Sequence, residues 1–341
     1  MSSPDNPHTP PSSSAMRSMR SRGVLWSSWL LGAASLAGVV AVALHFSEAQ
    51  SLLQLSQQVQ PGWFVLALAL QAMTYVVQGQ IYRRITRTGH ARLSLMKACR
   101  LGLLKLFFDQ ALPTYGVSGA VAVSTAFERL GISRPVVIAC FVISILSYML
   151  AYVVAIAWAL VILIVDGHAS PLLITACTLF TVGSLAVVVG LALLQGHQPT
   201  RALNGITRYR WVKHSLDTLN EADAGLTRNP HLLTTTTLLD LSIFLLDATT
   251  LWALVLSMGA HADWSGVYAA FMLASLLRSI GITPGGLGVF EGGAVSALHW
   301  AGIALPVALS ATLLFRGLSF WAPMLPGILV SRSALRERNS Q

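Results

Sequence analysis

Thr283-Pro284-Gly285-Gly286-Leu287-Gly288-Val289-Phe290-Glu291 stands in the middle of an apolar region running from about 264 to 300. Proline lacks the donor that a helix interior needs, and glycine lets the backbone turn tightly and approach a neighbour closely. The region therefore reads as two short helices joined by a broken loop, not as one continuous helix. A second apolar region, about 93–130, is interrupted in the same way by Pro113 and Gly116. Backbone of this kind is tolerated at membrane depth only where it is buried in protein or lines a cavity.

The rest of the chain supplies the membrane. Of its 341 residues 54% are hydrophobic and 10% charged, with a mean hydropathy of +0.66. Soluble domains carry about 25% charged residues. So few charges cannot cover a globular surface, so much of the surface faces lipid. Uninterrupted runs at roughly 24–45, 61–82, 136–165, 171–195, 232–258 and 306–330 reach the ~20 residues that a span needs. The fold expected is an all-α polytopic membrane protein with about six full transmembrane helices and two re-entrant helical hairpins. Residues 1–23 form a Ser- and Pro-rich tail without apolar period, and 333–341 a second tail. The run after Arg17, Arg20 and Arg22 is too long for a signal-peptide core of about 7–15 residues and reads as an uncleaved anchor.

The net charge of +9 has a topological reading. With the N-terminus inside and both broken regions entering and leaving on one side, the outer connections are 46–60, 166–170, 259–263 and 299–305. None of the 22 Lys and Arg residues falls in them. Arg83, Arg84, Arg87, Arg129, Arg134, Arg201, Arg228 and Arg332 all fall in inner ones, as the positive-inside rule requires. Both termini are thus expected in the cytoplasm and the chain in the cell (inner) membrane. The basic residues lack aromatic interleaving or a basic helix face, so no nucleic acid partner is expected. Cys99, Cys140 and Cys177 are scattered, without the spacing of a zinc site or a disulfide framework. No cofactor or metal is expected.

A shift of 171 residues brings His90-Ala91 onto His261-Ala262, Pro113 onto Pro284 and Gly131-Ile132 onto Gly302-Ile303. Pro135-Val136 falls on Pro306-Val307, and Ser94, Ala98, Leu106 and Ala126 meet their own kind at 265, 269, 277 and 297. The two copies, about 61–165 and 232–331, have opposite orientation in the charge-derived topology. Inverted repeats with broken helices are a transporter device whose site forms near the midplane.

Within that site, Glu291 is an ionisable group in an apolar region, a costly placement that calls for a partner. Arg278 and Arg316 are the candidates. Asp109, Lys105 and Arg100 flank the first broken region, and Asp240 and Asp247, seven residues apart, share one helix face. Arginine here suits a phosphate-bearing headgroup, because its guanidinium forks onto phosphate oxygens.

Pro284 to Glu291, then Gly302-Ile303 and Leu314-Phe315-Arg316, resemble the signature of the lysylphosphatidylglycerol synthase transmembrane region. That flippase-like family includes hopanoid-associated and dolichol-phosphate-sugar-associated membrane proteins. Asp109-Gln110-Ala111-Leu112-Pro113, with Gly116 and Gly119, is similar to its looser first signature. Members commonly have Asn where Asp109 stands, and an acidic residue and an Arg where this chain has Ser118, Ala120 and Val123. The resemblance spans 24–332 and implies lipid translocation, with Pro284, Gly285, Gly286, Gly288, Glu291, Arg278, Arg316, Asp109 and Pro113 as substrate-binding residues. Membrane lipids are the expected partners, and lipid-biosynthesis enzymes a further class. No ATPase motif occurs, and with the sequence ending at Gln341 no aminoacyl-transferase domain is expected, so the chain is not read as an enzyme. The alternatives are an intramembrane enzyme or accessory subunit acting on a lipid-linked sugar, and a scaffold that transports nothing.

Overall fold

A computed structural model describes residues 60–111, 117–167, 170–194, 218–219, 221–279 and 283–323. The expected first span at 24–45, the tails 1–23 and 333–341, and Pro113 with Gly116 lie outside these residues. Every regular element among the described residues is helical. Ten α-helices follow in chain order: α1 (Pro61–Thr88), α2 (Leu95–Ala111), α3 (Val117–Arg129), α4 (Arg134–Val165) and α5 (Pro171–Leu194) come first. A single turn α6 (Ala224–Thr227) precedes α7 (Pro230–Ser257), α8 (Trp264–Arg278), α9 (Val289–Trp300) and α10 (Leu305–Arg316). A 3-10 turn (Pro284–Gly286) precedes α9, and a π turn (Gly317–Trp321) extends α10.

Four helices, α1, α4, α5 and α7, are long and apolar enough to cross a membrane. At 1.5 Å per residue the 28 residues of α1 and the 32 of α4 exceed the ~30 Å hydrocarbon thickness. α5 packs on α4 and exposes Leu172, Leu179, Val182 and Val189, a surface that only lipid or another apolar element satisfies. The chain is a multi-pass membrane protein. The expected last span appears as the shorter apolar helix Leu305–Trp321, described as far as residue 323.

The expected starts agree with the observed ones because prolines set them. Pro61, Pro135, Pro230 and Pro306 all occupy the first turn of their helices, where the missing N–H costs nothing. Two corners share one geometry at an offset of 171. Gly131 and Gly302 are both left-handed, with φ of 73° and 86°. Ile132 donates to Phe127 O at 3.2 Å, as Ile303 donates to Leu298 O at 3.1 Å. Gly131 donates to Glu128 O and Gly302 to His299 O, both at 3.0 Å. These are paired C-terminal caps of the Schellman type, ending α3 and α9 respectively. The four identities Gly-Ile and Pro-Val thus encode one corner twice, and Ile132, Ile303, Val136 and Val307 are buried in both places.

The two corners lie at opposite ends of the molecule. Gly89, at the end of α1, touches Val136 and Leu226, and Asp223 donates to Pro135 O while Arg134 pairs with Glu221 at 2.8 Å. That end gathers the expected inner connections. At the other end Gln60 N–H donates to Ser257 O at 2.7 Å, Trp252 Nε1 donates to Ala262 O, and Gly266 faces Ala301. The expected outer connections meet there. The hydrogen bond from the start of α1 to the end of α7 makes these two extensively packed helices antiparallel.

α8 and α9 form a hairpin. Gly266 opposes Ala301 at its open end, Phe271 meets Phe290 edge-on at 6.1 Å, and Gly293 lies against Ala274 and Leu277 nearer the turn. Its 15- and 12-residue arms are each shorter than the ~20 residues of a span. The expected break at 284–288 is where the hairpin turns. One apolar core, including Phe244, Leu251, Phe271 and Phe315, binds α4, α7, α8, α9 and α10 together. A second, including Tyr82, Leu101 and Phe127, binds α1–α4.

Candidate functional site

The hairpin turn is built on left-handed glycines. Gly285, Gly286 and Gly288 have φ of 59°, 70° and 79°, a region that a Cβ disfavours. Space forbids side chains as well. A Cβ on Gly285 would strike the Phe320 ring, and one on Gly286 would strike Cγ of Arg278. Thr283 Oγ1 donates to Leu287 O at 2.8 Å, and Gly286 N–H to Thr283 O at 3.0 Å, closing the turn on itself.

Glu291 is at the third position of α9, fully buried. Its Oε2 accepts the Gly288 N–H at 2.6 Å, one half of a capping box. Its Oε1 accepts Nε of Arg316 at 2.6 Å, and Arg316 is 3% exposed. Arg316 also donates from Nη2 to Gly285 O at 3.0 Å. Each charge suits its helix, a carboxylate in the first turn of α9 and a cation in the last turn of α10. The guanidinium lies between two rings, with Cζ 5.2 Å from the Phe290 centroid and 4.6 Å from that of Phe320, within cation–π range. Of the two candidate arginines, then, Arg316 holds Glu291, and the pair clamps α9, α10 and the glycine turn together.

Arg278 ends α8 half-buried, with Cζ 5.7 Å from the Phe290 centroid. It makes no ion pair with an acidic group among the described residues. Its guanidinium is within hydrogen-bonding reach of Tyr148 and lies near Asp247. Among the described residues Arg278 is the cation of this site that forms no direct ion pair.

Asp109 has partners other than the Glu291 pair. It binds Lys105 Nζ at 2.7 Å and accepts the Gly119 N–H at 3.0 Å, tying α2 to the start of α3. Asp240 accepts Ser147 Oγ–H at 2.6 Å across the α4–α7 contact, and Asp247 accepts Gln71 Nε2–H at 3.3 Å across α1–α7. The shared face of α7 is present, and its two carboxylates answer to different neighbours.

The π turn at Gly317–Trp321 had no periodic signal. Such turns displace backbone groups from the helical ladder and recur at functional sites. Here Tyr75 Oη–H donates to Leu318 O at 2.7 Å and Gln110 Nε2–H to Ser319 O at 3.4 Å. Gln110 stands in the first quoted motif beside Asp109, so that motif reaches the second broken region through the amide instead of the carboxylate. α2 also packs on the Pro284–Gly286 turn itself.

Four helices long and apolar enough to cross a membrane, among the described residues, define a polytopic membrane protein, and a buried ion pair fixes its glycine turn. The family model for the lysylphosphatidylglycerol synthase transmembrane region matches residues 29–327, and the chain belongs to that family. A search of curated proteins finds no match.

Proposed function

We propose that this chain is a lipid translocase, moving a phospholipid, hopanoid or polyprenyl-linked headgroup between leaflets of the inner membrane, and that it is not an enzyme. The carrying observation is the pair of equivalent corners, Gly131-Ile132 and Gly302-Ile303, at opposite ends of the bundle. An inverted repeat produces that placement, as does the antiparallel packing of α1 on α7. In this reading both broken regions are re-entrant, and the glycine turn and π turn mark where they meet. Transporters of this design switch access by moving one repeat against the other around a fixed site. Arg278, which forms no ion pair among the described residues, would meet the phosphate, while the Glu291–Arg316 pair holds the turn in shape.

Purified protein in vesicles carrying a fluorescent phospholipid tests the activity. Exchange between leaflets should be fast with the native chain. Arg278→Gln should slow it about tenfold, the loss expected for about 1.4 kcal/mol of charge-assisted binding. Exchange at the rate of protein-free vesicles would overturn the assignment. Orientation has its own test. With the native cysteines replaced by alanine, Glu128→Cys and His299→Cys occupy equivalent positions of the two copies. An impermeant maleimide should label the first only in inverted vesicles and the second only in spheroplasts. Labelling of both from one side would remove the inverted repeat.

A further inference from the structure

Two carboxyl groups sit near the middle of α7, a helix long enough to cross the membrane. Asp240 and Asp247 stand three to four residues either side of the midpoint of its 28 residues, about 5 Å each way at 1.5 Å per residue. Asp240 is 6% exposed and Asp247 partly buried, and among the described residues neither forms an ion pair. Carboxyl groups at such depth are costly and recur where transporters relay protons. The titratable groups near them are Tyr75 and Tyr82 on α1, Lys105 on α2, Tyr148 on α4 and Arg278 on α8. Lys105 is paired with Asp109, and Arg316 on α10 with Glu291.

The amide beside Asp247 is the second observation. Gln71 on α1 is 5% exposed and donates from Nε2 to Asp247 Oδ1 at 3.3 Å and to Thr74 Oγ1 at 3.0 Å. Thr74 spends its own proton on Gln71 O at 2.7 Å, so its hydroxyl can only accept from the side-chain amide, which fixes Nε2 on that side. The other amide atom, Oε1, is buried with no partner among the described residues. Buried acceptors are normally satisfied. An ionised carboxylate has no proton to offer Oε1, whereas a carboxylic acid has one. A single amide thus fits both states of Asp247, with Nε2–H serving the carboxylate and Oε1 serving the acid. We infer that Asp247 takes up and releases a proton in the working protein, with Gln71 as its partner in both states. The proton joins a carboxylate oxygen from water on one side and returns to water on the other, and no other bond changes. Arg278 lies near Asp247, so a phosphate and this carboxylate compete for one guanidinium, and a proton on Asp247 frees it. In the translocase reading, on which this coupling rests, proton and headgroup cross together.

Infrared difference spectra of the full chain in vesicles, acid against alkaline buffer, read the proton without any transport. A protonated-carboxyl band should appear on acidification, vanish in Asp247→Asn and shift in Gln71→Leu, which removes the acceptor. Absence of the band from the native chain, or its survival in Asp247→Asn, would overturn the site. Fluorescent phosphatidylglycerol in the same vesicles reads the coupling. Across one pH unit, one proton per lipid should enrich the label in the alkaline leaflet up to about tenfold, equivalent to about 1.4 kcal/mol. Asp247→Asn should lose that asymmetry. Fast exchange without asymmetry in the native chain would refute the coupling, and asymmetry driven by a sodium gradient at equal pH would give the site to sodium instead. An Asp247-dependent band without leaflet exchange would keep the proton site and reject the translocase.

Discussion

Arg316→Ala is expected to destabilise the protein by about 3–5 kcal/mol, the cost of leaving one member of a buried ion pair alone. The Glu291 carboxylate would keep only the Gly288 N–H, in a site where the glutamate is fully buried and the arginine 3% exposed. The same substitution removes the donor to Gly285 O and the cation between Phe290 and Phe320. Glu291→Gln should cost a comparable amount by stranding the guanidinium. Arg316→Lys should recover only part of the loss, because an ammonium cannot serve Glu291 and Gly285 in one plane while lying between two rings. Thermal unfolding in detergent reads these losses directly, and an unchanged melting curve for Arg316→Ala would sink them. The apolar double variant Glu291→Met with Arg316→Met removes both charges and should restore most of the stability. It also separates roles. If the pair only locks the turn, leaflet exchange returns with folding, whereas exchange that stays lost places the pair in contact with the headgroup.

The sequence made the long elements legible because α1, α4, α5 and α7 are single apolar runs opened by proline in the first turn. Pro61, Pro135, Pro171 and Pro230 mark their starts within two residues of the boundaries expected from hydropathy. The hairpin turn was legible for the same reason, since Pro284 and the glycines cannot continue a helix. Choosing Arg316 over Arg278 as the partner of Glu291 was not. Both are arginines near a broken helix in the linear sequence, and only the docking of α10 on α9 brings Nε of Arg316 to the carboxylate. Asp109 shows the opposite limit. Its partners are Lys105, one helical turn away, and Gly119 across the break between α2 and α3, and only the second needs the fold to be known. The π turn gave no signal because its carbonyls are satisfied by Tyr75 and Gln110, far away in sequence.

Gly286→Ala is expected to carry the second large effect, and its size follows from two separable costs. A left-handed backbone at φ 70° costs a residue with a Cβ about 1–2 kcal/mol. The new methyl would also overlap Cγ of Arg278, whose neighbouring Cδ and Cβ stand 2.9 and 3.1 Å from the same point. Those are atoms near the root of the side chain, so it cannot simply swing its far end away, and overpacking adds about 1–3 kcal/mol. Gly302→Ala supplies the comparison. Its φ is 86°, yet nothing lies within 4 Å of its added Cβ, so it should show the backbone cost alone. Gly286→Ala should therefore melt below Gly302→Ala, and equal melting temperatures would remove the steric part of the account. Pairing Gly286→Ala with Arg278→Ala deletes Cγ and Cδ, and the double variant should be more stable than the sum of the single losses. The same cycle run on leaflet exchange gives a different answer. The charge is gone in the double variant, so the turn regains its shape while exchange stays slow, which is the signature of an arginine that both packs the glycine turn and meets the lipid.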